Sequence, residues 1–175
     1  MASRESSAGP YYAVVDLSAF YAVVSGINFT LLGLWWVAVR ERGDSAFGRR
    51  LAYLVSLQFV LPGTVSLLSQ VAPDVPGLWR VSFAAAGLAG AVGSVMLSGA
   101  VGRLPGQRLV AGLMAFAAAP IYILVALVAA IPPLTENRGL ALTPLQIEGV
   151  LLCLLVFLGV QAAWVVAMAP KIAQN

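Results

Sequence analysis

The chain has 175 residues, 61% of them hydrophobic and only 10% charged, with a net charge of +3 and a mean hydropathy of +0.93. A soluble domain carries about 25% charged residues, so the composition excludes one and predicts an all-α integral membrane protein. With a single cysteine, Cys153, and no histidine, an internal disulfide, bis-histidine haem ligation and a zinc or iron–sulfur centre are excluded as well.

Five apolar segments are long enough to cross a hydrocarbon core of about 30 Å at 1.5 Å per residue: residues 17–39, 51–71, 81–101, 109–131 and 145–169. They predict a bundle of five transmembrane helices forming one domain over residues 1–175. The first segment follows a tail with no basic n-region and ends in "RER" with no small-residue cleavage site. It is therefore expected to remain as a spanning helix, not to be removed as a signal peptide. Asp16 is read as its N-cap. Asn28, deep within it, is either a packing residue or one of several amides meeting inside the bundle.

After the basic loop "RERGDSAFGRR" comes the most polar segment, "YLVSLQFVLPGTVSLLSQ". Gln58, Pro62, Ser66 and Ser69 follow one another at helical spacing and form a stripe. Pro62 cannot donate to the carbonyl of Gln58, so a kink is expected there. Trp79 and Arg80, which open the third segment, read as interfacial anchors. Within that segment Ser82, Ala86, Gly90, Ser94, Ser98 and Gly102 recur every fourth residue, a small-xxx-small face that lets helices approach closely. It predicts a central third helix, packed within the bundle or between subunits.

The fourth segment carries a second break, Pro120, twelve residues after Arg108, as Pro62 lies twelve after Arg50. Proline-interrupted segments at matching depth are a pointer to a binding site between halves of a transporter. The fifth begins with a capping box, Thr143-Pro144-Leu145-Gln146. Glu148 is read as an acid favoured by the helix dipole, and Gln161 as a third mid-membrane amide beside Asn28 and Gln58.

Seven of the ten basic residues (Arg40, Arg42, Arg49, Arg50, Arg103, Arg108 and Lys171) fall on one side of this topology. Arg4, Arg80 and Arg138 fall on the other. The asymmetry predicts an external N-terminus and a cytoplasmic C-terminus. Aromatic belts agree, with Trp35, Trp36, Tyr53 and Trp164 at the inner interface and Tyr11, Tyr12 and Trp79 at the outer. The cluster Arg40, Arg42, Arg49 and Arg50 reads as topogenic charge, with contact to anionic lipid as its second use.

No lysine lies within a segment, and every acid falls in a tail, a loop or a helix end, which argues against an enzyme and against ion-coupled transport. No cofactor, metal or nucleic acid is expected. The partners expected are the lipid bilayer and either another membrane protein or further copies of the chain. The expected function is a structural or accessory subunit of a membrane complex. The alternative is an oligomeric passive channel or carrier for a small uncharged solute, using Asn28, Gln58, Pro62, Ser66, Ser69, Pro120 and Gln161. Arginine in place of lysine, with heavy alanine, glycine and valine usage, suggests a bacterial plasma (inner) membrane.

Overall fold

The computed structural model describes residues 17–40, 46–71, 75–131 and 142–169. Asp16, Arg4, Arg42, Arg138, Lys171, Tyr11 and Tyr12 lie outside them. The described residues form helices joined by turns, with no strand among them: α1 (Leu17–Val39), α2 (Ala46–Val71), α3 (Pro76–Val101), α4 (Arg108–Leu113), a π-helical turn (Met114–Ala118), α5 (Ala119–Ala130) and α6 (Pro144–Met168). With α4, the π turn and α5 counted as one rod, five helices among the described residues are long and apolar enough to cross a membrane.

The helix ends differ from the apolar limits because backbone hydrogen bonding outlasts the apolar run. α2 begins at Ala46 and carries Arg49 and Arg50 inside its first turns. α3 begins at Pro76, whose missing N–H costs nothing at a first helical position. α6 starts as expected: the Gln146 amide donates to Thr143 Oγ1 at 3.3 Å, and the Thr143 amide donates to Gln146 Oε1 at 2.8 Å. Between α3 and α4 the Gln107 amide donates to the Leu104 carbonyl at 3.3 Å. Pro105 and Gly106 fill the centre of this turn, and Gly106 has φ 75°, the left-handed value that favours glycine.

The two prolines are accommodated differently. α2 stays α-helical through Pro62. The fourth rod instead inserts a π turn just before Pro120, in which the Ala119 amide reaches back to the Met114 carbonyl. Such a bulge absorbs the donor that proline lacks. Pro62 is buried, whereas Pro120 is exposed.

α2 is the centre of the bundle, packing against α1, α3 and α6, while α3 packs against α4 and α5, and α6 closes the ring against α5 and α1. In its most apolar stretch 61% of α2 is buried, against 28% of α1, the least covered helix. The most polar helix is thus the most enclosed. Large apolar side chains such as Val37, Val81, Leu109 and Phe116 point outward, the reverse of a soluble protein and compatible with a multi-pass membrane protein.

Glycine sets the approach of α3 to α5. A Cβ at Gly87 would lie 2.6 Å from the Tyr122 carbonyl oxygen and 2.7 Å from the Ala126 nitrogen, and one at Gly90 would overlap the Tyr122 ring. The four-residue face of α3 is spent inside the chain: Ala86, Gly90 and Ser94 are buried, and the Ser98 hydroxyl donates to the Ala111 carbonyl at 2.7 Å. Gly102 faces the Ala111 methyl, although Ser82 stays at the surface and donates to the Leu78 carbonyl.

The aromatic belts need correction. Trp35 is buried, its indole N–H donating to the Ala52 carbonyl at 2.9 Å, so it pins α1 to α2. Neighbouring helical residues point about 100° apart, so Trp35 turns inward as Trp36 turns out. Trp79 is also buried, edge-on to Phe83, with the Arg80 guanidinium 5.1 Å above its ring.

We expect Gly87→Ala to destabilise the bundle by about 1–3 kcal/mol through overpacking against backbone. Gly112→Ala, where an added Cβ meets nothing within 4 Å, is expected to leave thermal unfolding in detergent unchanged. Equal effects of the two would contradict this account of the α3–α5 contact.

Candidate functional site: a buried polar seam

Helical spacing turns the polar residues of several helices toward one interior. On α1 the buried face runs Tyr21, Val24, Ser25, Asn28, Trp35 and Val39. On α2 it includes Gln58, Pro62, Gly63, Ser66 and Ser69, which keeps the expected stripe together. α3 adds Ser94 and α6 adds Glu148. Asn28, Gln58, Ser66, Ser94 and Glu148 are all 0% exposed.

Two glycines seat the amides. A Cβ at Gly63 of α2 would lie 3.1 Å from the Asn28 Cβ, and one at Gly159 of α6 would lie 3.1 Å from the Gln58 Cβ. Each amide therefore sits against bare backbone of a neighbouring helix. Asn28 donates to the Val24 carbonyl of its own helix at 2.8 Å. Gln58 accepts from the Ser94 hydroxyl at 3.5 Å, a long contact.

The expected meeting of three amides does not form. Neither Asn28 nor Gln58 bonds the other, and Gln161 is only half-buried on α6. Ser69 donates to the Ser66 carbonyl at 2.9 Å, as does the Gln70 amide at 2.9 Å, so the end of the stripe satisfies itself locally. Pro120 is exposed on the far side of its rod from buried Ala118, Ala119 and Tyr122, so the two prolines do not share an interior point.

What remains is a set of unmade hydrogen bonds. Asn28 Oδ1, Gln58 Nε2, Ser66 Oγ, the Tyr122 hydroxyl and both oxygens of Glu148 are buried without a partner among the described residues. Most buried polar groups in proteins are paired, so this concentration distinguishes the interior of the bundle from ordinary packing. The Tyr21 hydroxyl, by contrast, donates to the Leu145 carbonyl at 2.6 Å and joins α1 to α6.

Glu148 departs from its sequence reading. It is the fifth helical residue of α6, beyond the free amides of the first turn where a dipole acts most strongly. It lies on the inward face with Leu152, Leu155 and Gly159, close enough to Tyr21 to interact with it electrostatically. Beside it a Cβ on Gly149 would meet the Phe20 ring at 2.8 Å. The spacing 148, 152, 155, 159 was a usable signal, because the cap at Thr143 and the small residue Gly159 fix which face turns inward.

Replacing Glu148 by leucine is expected to raise the unfolding free energy by about 1–3 kcal/mol, the cost of an unmet buried polar group. Gln58→Leu is expected to change it by less than about 1 kcal/mol, since it removes one long interhelical bond. Thermal melts of the purified protein check both. A large loss on Glu148→Leu would mean that its oxygens are paired in the intact protein. No protein-family model, curated protein or solved structure matches this chain.

Proposed function

We propose that the protein is a non-enzymatic multi-pass membrane protein of a bacterial plasma membrane, with its N-terminus outside and its C-terminus in the cytoplasm. Its function is that of an accessory subunit that binds another membrane protein. The arginine asymmetry supports the orientation: Arg40, Arg49, Arg50, Arg103 and Arg108 gather at one end of the bundle, where α2 and α4 begin and α1 and α3 end.

The observation that carries the accessory reading is the bare outer side of α1. Ala22, Gly26, Thr30, Gly33 and Val37 follow at intervals of four, four, three and four and are all exposed. Nothing lies within 4 Å of a Cβ built on Gly26 or Gly33. Thr30 satisfies its hydroxyl on the Gly26 carbonyl at 2.8 Å. This stripe is opposite the face that packs on α2, and Phe29 and Trp36 flank it. α3 uses its glycines to receive α5, whereas those of α1 receive nothing from the described residues. Small residues at this spacing are the composition with which membrane helices pack against one another.

A second reading rests on the unmade hydrogen bonds of the seam. Asn28, Gln58, Ser66, Tyr122 and Glu148 have capacity for water or a small polar solute, which supports a passive channel or carrier. The close seating of both amides on glycine backbone counts against a wide path through one bundle.

Purification from the native membrane in mild detergent, with the mass and composition of the particle measured, separates the two. We expect a partner of unrelated sequence, lost severalfold in Gly26→Leu/Gly33→Leu and retained in Asn28→Leu/Gln58→Leu. A particle of identical copies, with liposome flux abolished by Asn28→Leu/Gln58→Leu, would overturn the accessory reading.

A further inference from the structure

At the arginine-rich end, residues from the start of α2 and the end of α3 line a partly open cavity of about 110 Å³. Its rim carries Arg50 from α2 and Arg103 just beyond α3, and its wall carries Phe47, Leu51, Met96 and Gly99. Both arginines are exposed. The only acidic side chain among the described residues, Glu148, is near the start of α6, at the opposite end of the bundle. No described carboxylate neutralises the pair.

The cavity is an amphipathic groove: Arg50 and Arg103 line it together with the apolar side chains of Phe47, Leu51 and Met96. Gly99 keeps that groove open, since a Cβ there would meet nothing within 4 Å, and Met96 alongside it is 41% exposed. Guanidinium groups bind phosphate oxygens in a bidentate fork. Basic pockets between membrane helices on the cytoplasmic side suit anionic head groups.

We propose that this groove is a binding site for one anionic phospholipid of the cytoplasmic leaflet. Arg50 and Arg103 hold its phosphate, and the first part of an acyl chain lies along Phe47, Leu51, Met96 and Gly99. The site needs the membrane orientation given above but not the accessory role, so it holds equally for a subunit or a carrier. Inorganic phosphate satisfies only the charged half of the groove and is expected to bind far more weakly.

Native mass spectrometry of the whole purified protein with added phosphatidylglycerol tests this. Phosphatidylcholine and inorganic phosphate serve as the comparison ligands. The wild type is expected to retain one phosphatidylglycerol in preference to phosphatidylcholine. Removing the arginines in Arg50→Gln/Arg103→Gln is expected to weaken retention roughly fivefold for each charge lost. Arg40→Gln/Arg108→Gln removes the same charge from the same end outside the groove and is expected to leave retention unchanged. Gly99→Leu fills the groove with both charges intact and is expected to lower retention as well. That variant carries the test alone if the double glutamine variant does not fold. Equal losses in the two double variants, or unchanged retention in Gly99→Leu, would reduce the site to diffuse surface charge and overturn the proposal. Displacement of the lipid by inorganic phosphate at similar concentration would overturn it in favour of a free-anion site.

Discussion

Where α3 meets α5, backbone touches backbone: a methyl group on Gly87 would intrude on the carbonyl of Tyr122 and the amide of Ala126. The same device recurs where Gly63 receives Asn28, Gly159 receives Gln58 and Gly149 receives Phe20. In a lipid bilayer, with which these five apolar helices are compatible, there is no hydrophobic drive for helices to associate, so close van der Waals packing has to supply the attraction. Glycine permits it at the cost of intrinsic helix propensity. The long apolar helices and their satisfied backbones offset that cost.

Once the helices are this close, the buried polar groups must find partners on neighbouring backbones or go without. Trp35, Ser98 and Tyr21 each spend their donor on a carbonyl of another helix, at Ala52, Ala111 and Leu145. These three bonds tie α1 to α2, α3 to α4 and α1 to α6. The buried polar residues Asn28, Gln58, Ser66, Tyr122 and Glu148 are different, because they are enclosed but incompletely paired. The two amides act as packing elements against glycine, while Glu148 retains two oxygens whose hydrogen-bonding capacity is unused by any described neighbour.

Much of this was legible in the sequence. Apolar length located all five rods, and the Thr143–Gln146 pattern fixed the start of α6 to the residue. Four-residue spacing found both the α2 stripe and the α3 face. The misreadings share one cause: a single sequence does not say which helices are neighbours. Trp35 and Trp79 carry the composition of a belt but turn inward, because the buried faces of α1 and α3 claim them. Matching depth suggested a pair of prolines, yet rotation about each axis sends Pro62 in and Pro120 out. The dipole explained Glu148 by position along the helix and ignored its position around it. The bare stripe on α1 went unread for the same reason, since small residues become informative only when the opposite face is known to be occupied.

The central claim is that the outer side of α1 meets a second membrane protein. Its most direct test is photocrosslinking in intact native membranes from a probe placed at Thr30, compared with one at Val92 on the exposed side of α3. We expect the Thr30 probe to capture one protein of unrelated sequence and the Val92 probe to capture none. Capture of only lipid from both positions, or of only a second copy of this chain from Thr30, would contradict the claim.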